Sequence, residues 1–102
     1  MEWYHYVAGF FAGVFLANFV PHFVHGISGN KFPSPFAKPP GKGLSSSVVN
    51  VLWALLNLLI GYGLLRVGRV STENGLSLAV FFIGIAAISI QCSIHFQRKD
   101  KE

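Results

Sequence analysis

The chain has 102 residues and a net charge of +4, with 52% hydrophobic and only 12% charged side chains. A soluble domain carries about a quarter charged residues, so this chain lacks the charge to cover a water-facing surface, and its length allows one domain. Its basic residues, Lys31, Lys38, Lys42, Arg66, Arg69, Arg98, Lys99 and Lys101, lie in links and at the end, a pattern of spans and loops that excludes a nucleic-acid-binding patch and leaves no nucleic-acid partner.

A bilayer core of about 30 Å takes about 20 apolar residues in a helix. The first such run spans about 4–23 and holds no Lys, Arg, Asp or Glu. Glu2 stands where a cleavable leader has basic residues, and no small-x-small site follows the run, so this segment is expected to be retained. Trp3, Tyr4 and Tyr6 suit a membrane interface. Gly9, Gly13 and Ala17 recur every fourth residue and form a small-residue groove for close helix approach. On another face, Asn18, His22 and His25 share a narrow arc. Pro21 removes a backbone donor, so the helix is expected to kink or end there.

The next stretch, 26–47, is a loop rich in helix breakers, with Pro33, Pro35, Pro39 and Pro40, and is expected to contain no further element. Phe32 and Phe36 are expected to dip into the membrane interface. Lys38, Lys42, Ser45 and Ser46, next to Gly41 and Gly43, make an anion-friendly concavity at a helix start, suited to a lipid headgroup. It is not a phosphate-binding Walker loop, because Lys42 precedes glycine rather than Ser or Thr. The plainer reading is an N-cap with topology-setting lysines.

The second run spans about 48–67, with Asn50, Ala54, Asn57 and Gly61 on one face. Arg66 and Tyr62 near its end read as an interfacial anchor. The link 68–75 is short and polar, so the second and third helices are expected to form a tight antiparallel hairpin. The third run spans about 76–96, with Ser77, Gly84, Ile88, Gln91 and His95 along one side. Uncharged runs of this length satisfy their backbone only as helices, and none shows two-residue alternation, so the fold class is an all-α membrane protein of three transmembrane helices.

Polar side chains are costly in hydrocarbon unless paired, so each stripe is expected to face the bundle interior. By depth, Asn18, Asn50 and Gln91 fall at one level and are expected to form an amide layer, with Asn57 near the midplane. His22, His25 and His95 lie just beyond it. Imidazoles from two helices suit a transition metal or haem; the plainer reading is helix-end histidines tied to neighbours. Cys92, the only cysteine, excludes an internal disulfide and reads as apolar filler or a thiol ligand. No acidic residue lies within a span, which weakens proton-coupled export of cations, and no nucleophile–base–acid set marks a hydrolase.

Lys and Arg counts assign orientation: Lys31, Lys38, Lys42, Arg98, Lys99 and Lys101 on one side, Arg66 and Arg69 on the other. The richer side is expected to be cytoplasmic and the N-terminus outside. The general look is similar to that of small bacterial inner-membrane proteins, which implies a location and no activity. The size compares with three-helix haem anchors of respiratory complexes, but their motif is not matched, so no residue is carried over. The expected function is a structural or accessory subunit in the inner membrane, in contact with lipids and with copies of itself or another membrane protein. The alternatives are a histidine-based metal or haem site, and a solute channel or carrier formed by oligomerisation around the Asn and Gln side chains.

Overall fold

A computed structural model describes residues 2–37 and 43–98. In chain order it contains α1 (Trp3–Ile27), two short strands β1 (Phe32–Pro33) and β2 (Leu44–Ser45), α2 (Ser47–Val67), α3 (Gly75–His95) and a closing 3-10 turn, Phe96–Arg98. Each of the three α-helices is long and apolar enough to cross a membrane. The chain is therefore a multi-pass membrane protein of three helices, as the sequence predicts. The expected lipid-headgroup residues Lys38 and Lys42 lie outside the described residues.

Each helix starts where a side chain meets its first free amides. Ser46 Oγ accepts from the Val49 amide at 3.2 Å, and Asn74 Oδ1 accepts from the Ser77 amide at 3.1 Å. At the head of α1 the Glu2 amide donates to His5 Nδ1 at 3.1 Å, and the Glu2 side chain caps in return. α1 ends at Ile27, and two residues on the chain turns away at Gly29, whose φ of 77° glycine adopts without strain.

Two expectations about this region are corrected. Of the kink or end expected at Pro21, the end does not occur, since the helix continues to Ile27. The last turn is held from outside, and a break there would expose backbone groups to lipid. Gly26 packs so closely on α2 that a Cβ there would stand 2.9 Å from the Val51 amide and 3.0 Å from the Ser47 carbonyl. The proline-rich loop is not featureless either: Phe32 pairs with Ser45 and Pro33 with Leu44 in a small antiparallel ladder. Proline is tolerated because a two-strand ladder is all edge.

α2 and α3 form an antiparallel pair joined by a short turn, and α1 makes the larger contact with each. It runs antiparallel to α2 and parallel to α3: Gly9 meets Gly68 at one end, Gly26 meets Val51 at the other, and Gly13 meets Gly84. The α1–α3 crossing is backbone on backbone. A Cβ at Gly13 would strike the Phe81 carbonyl, and one at Gly84 would strike the Phe10 carbonyl. The groove of Gly9, Gly13 and Ala17, read from sequence as a face for a partner, is thus used within the chain at Gly9 and Gly13; Ala17 is only half-buried. Gly61 receives Leu16. Gly68, at the end of α2, sits against the Gly9 amide in the ordinary helical region, and the left-handed position falls on Arg69 instead, with φ 51°. Close approach, not backbone freedom, is what position 68 requires.

Substitution separates these roles. Gly84→Val is expected to lose about 1–3 kcal/mol or to misfold, because α1 and α3 must move apart. Gly63→Ala, where a Cβ meets nothing within 4 Å, is expected to leave stability unchanged or raised. Thermal unfolding of both variants in detergent checks the pair.

Candidate functional site

The interior at the loop end is polar and its hydrogen bonds are interlocked. Asn50, fully buried on the first turn of α2, is its centre. Its Nδ2 donates to the Phe32 carbonyl at 2.8 Å, the Ser46 carbonyl at 3.1 Å and the Ser45 carbonyl at 3.3 Å. Its Oδ1 faces His22 Nδ1 at 2.8 Å. Carbonyls only accept, so the amide orientation is determined and His22 Nδ1 must be the donor. In the neutral ring this leaves Nε2 as a bare lone pair.

The loop lies across this centre. Ser34 Oγ and Ser45 Oγ share a hydrogen bond of 2.6 Å, and the Phe36 amide donates to Ser34 Oγ at 3.1 Å. Phe32, expected in the membrane interface, is instead 4% exposed. Its ring stacks on His25 at 4.3 Å and meets Phe96 at 4.7 Å. Phe36 is exposed, with its ring edge toward Trp53 at 5.4 Å.

About one turn further in, Asn18 ties all three helices. Its Nδ2 donates to Asn57 Oδ1 at 3.1 Å, and its Oδ1 accepts from the Cys92 thiol at 3.6 Å. Asn57 Nδ2 completes the set on the Trp53 carbonyl at 2.7 Å. The expected layer of Asn18, Asn50 and Gln91 is therefore corrected. Asn18 pairs with Asn57, Asn50 pairs with His22, and Gln91 is exposed. The reason is helical phase: the contact line of α3 passes through Gly84 and Cys92, and Gln91 projects to one side of it.

His22, His25 and His95 do not converge. His22 is held by Asn50, His25 by the Phe32 ring, and His95 is half-buried with its ring 5.1 Å from Phe96. Among the described residues no group of three His, Cys, Asp or Glu side chains is placed to hold a metal ion. Ser45 and Ser46, expected at a headgroup site, are occupied by Ser34 and by the α2 cap. Ser77 is buried and donates to the Asn74 carbonyl at 2.7 Å. Arg66 Nη1 donates to the Tyr62 hydroxyl at 2.9 Å.

Beside this network lies a cleft of about 330 Å³. Asn18 and His22 contribute from α1, Trp53 from α2, His95 and Phe96 from the end of α3, and residues 33–35 from the loop. Trp53 Nε1 is shielded from solvent and, among the described residues, meets no hydrogen-bond partner. Sequence reasoning passed over Trp53, Ser34, Phe96 and the bridging role of Cys92. Trp53 had a signal, because it falls between Asn50 and Asn57 at helical spacing and so shares their face. Ser34 had none beyond its flanking prolines.

No family model, curated protein sequence or solved structure matches this chain.

Asn50→Leu keeps the approximate volume and removes every one of these bonds. It leaves the Phe32 and Ser45 carbonyls and His22 Nδ1 short of a partner, at a cost of about 1–3 kcal/mol for each group that stays buried. The expected outcome is faster hydrogen exchange over residues 32–37 and a large loss of thermal stability. Asn57→Leu, which removes one inter-helix bond, is expected to cost about 1 kcal/mol. Equal effects of the two substitutions would contradict the central role of Asn50.

Proposed function

We propose that the protein is a structural or accessory subunit of an assembly in the cell's inner membrane, with its N-terminus outside and its C-terminus in the cytoplasm. One observation carries this reading: the interior amides of Asn18, Asn50 and Asn57 are consumed by packing, while the amide of Gln91 in α3 faces outward. Asn18, Asn50 and Asn57 are bonded to other parts of the chain, which favours interhelical adhesion over lining a solute path. Gln91, within α3, is exposed with Ala87 one turn away on the same side.

An amide facing acyl chains lacks partners that water would supply, and a neighbouring helix restores them. Ala87 lets that helix approach closely. The amide both donates and accepts, so two copies of Gln91 satisfy each other across a two-fold axis, which favours self-association. α3 is also the least covered of the three helices. The orientation rests on the excess of Lys and Arg at the loop and C-terminal side. For the metal or haem alternative, the separate engagement of the three histidines is unfavourable.

Native mass in nanodiscs or detergent tests the assembly. The wild-type protein is expected to run as a dimer or larger complex, and Gln91→Leu to lower the association constant by about five- to ten-fold, the equivalent of about 1–1.4 kcal/mol for one interhelical hydrogen bond. A strictly monomeric protein that co-purifies with no other membrane protein would refute the reading. An absorbance spectrum with elemental analysis of the same sample distinguishes the metal or haem alternative. Orientation is checked by a cysteine placed at Lys101 in a Cys92→Ser background, which should resist impermeant reagent from outside intact cells.

A further inference from the structure

The cleft at the loop end reaches well into the membrane-crossing part of the chain. Gly26 of α1 stands level with the Ser47 carbonyl at the start of α2. At about 1.5 Å per residue, His22 lies about 6 Å and Asn18 about 12 Å further in than Gly26. Both line the cleft, and Trp53 joins them from the second turn of α2. The rim at Pro35, on the loop, is exposed.

Two independent features favour water over acyl chains in this space. The first is unused polar chemistry. The His22 ring is 3% exposed and donates from Nδ1 to Asn50, which leaves Nε2 able only to accept. Among the described residues no donor meets Nε2. It is not one of the fully shielded unpartnered atoms, which among those residues are Trp53 Nε1 alone. Nε2 therefore keeps surface that a water-sized group touches. Of the two N–H bonds on the Asn18 amide, one is used on Asn57. Such groups are costly against hydrocarbon, and water both donates and accepts. The second feature is the loop itself. Ser34 and Pro35 lie outside any helix or strand and line the same cleft. Irregular backbone at membrane depth is tolerated where it is buried in protein or borders water.

With a volume of about 330 Å³ the cleft accommodates several waters at about 30 Å³ each. Among the described residues no Lys, Arg, Asp or Glu lines it, so it offers no charge to select an ion. Its inner end is closed. Asn18 is tied to Asn57 and Cys92. Beyond it Leu16 fills the space over Gly61, and Gly13 and Gly84 bring α1 and α3 backbone to backbone.

We propose that this cleft is a one-sided aqueous inlet. Water enters from the loop side, donates to His22 Nε2, accepts from the Asn18 amide and does not pass to the other face. The inlet is independent of the assembly reading, since Gln91 does not line it.

The test compares Asn18→Cys with Ala17→Cys, both in full chains carrying Cys92→Ser. Ala17 is the next residue on α1 but borders the groove shared with Ile85 of α3 instead of the cleft. The reagent is the membrane-impermeant 2-(trimethylammonium)ethyl methanethiosulfonate, applied to intact cells and to inside-out membrane vesicles. The preparation in which Lys101→Cys reacts is the one that presents the loop face. There, Asn18→Cys is expected to react about ten-fold faster than Ala17→Cys or more, because the attacking thiolate forms in water and not in apolar surroundings. From the opposite face neither is expected to react. Because Asn18→Cys also removes a hydrogen bond, the unaltered protein is measured as well, in lipid bilayers by solid-state NMR. Magnetisation from water is expected to reach the His22 ring nitrogens sooner than the Gly84 amide. The proposal is overturned by equal rates at positions 17 and 18, by reaction of Asn18→Cys from both faces, or by a His22 ring no closer to water than Gly84.

Discussion

The buried side chain of Asn50 is the constraint on which the loop end of the molecule depends. Its amide nitrogen reaches the Phe32, Ser45 and Ser46 carbonyls, and its oxygen receives His22 from α1. One residue thereby joins α1, α2, the β1–β2 ladder and the start of α2. In an apolar surrounding such bonds have no competing water, and losing one partner strands the other, so the set stands or falls together. The burial of Phe32 and the direction of the His22 proton follow from this arrangement.

The opposite half of the bundle is governed by shape. Gly13 and Gly84 bring the α1 and α3 backbones together, Gly68 seats the α2 end on Gly9, and Gly61 accommodates Leu16. Lipid supplies no hydrophobic drive between helices, so contact of this kind and hydrogen bonds must hold them. Asn18 stands where the two regimes meet: its amide bonds to Asn57 on α2 and accepts from Cys92 on α3. The outcome is a chain whose packing is concentrated on α1, with much of α3 left facing outward.

That division makes sense of where unused chemistry remains. Among the described residues, the buried polar side chains of the bundle find partners in the chain, apart from the Trp53 indole N–H. Gln91, on the far side of the α3 contact line, stays on the outer surface.

From the sequence by itself came the three spans, the short antiparallel link and the inward face of α2, because run length and helical periodicity are local properties that lipid enforces strongly. The polar identity of Asn18, His22, Asn50 and Asn57 marked them as interior for the same reason. Tertiary structure alone decided which amide meets which partner, since level and phase along three helices depend on crossing geometry that no single helix contains. It placed Cys92 rather than Gln91 against Asn18, and turned the Gly9–Gly13 groove to use within the chain. It also folded Phe32, Pro33 and Ser34 under the helices, an outcome unreadable from a proline-rich segment because the carbonyls that Asn50 gathers carry no signature in their side chains.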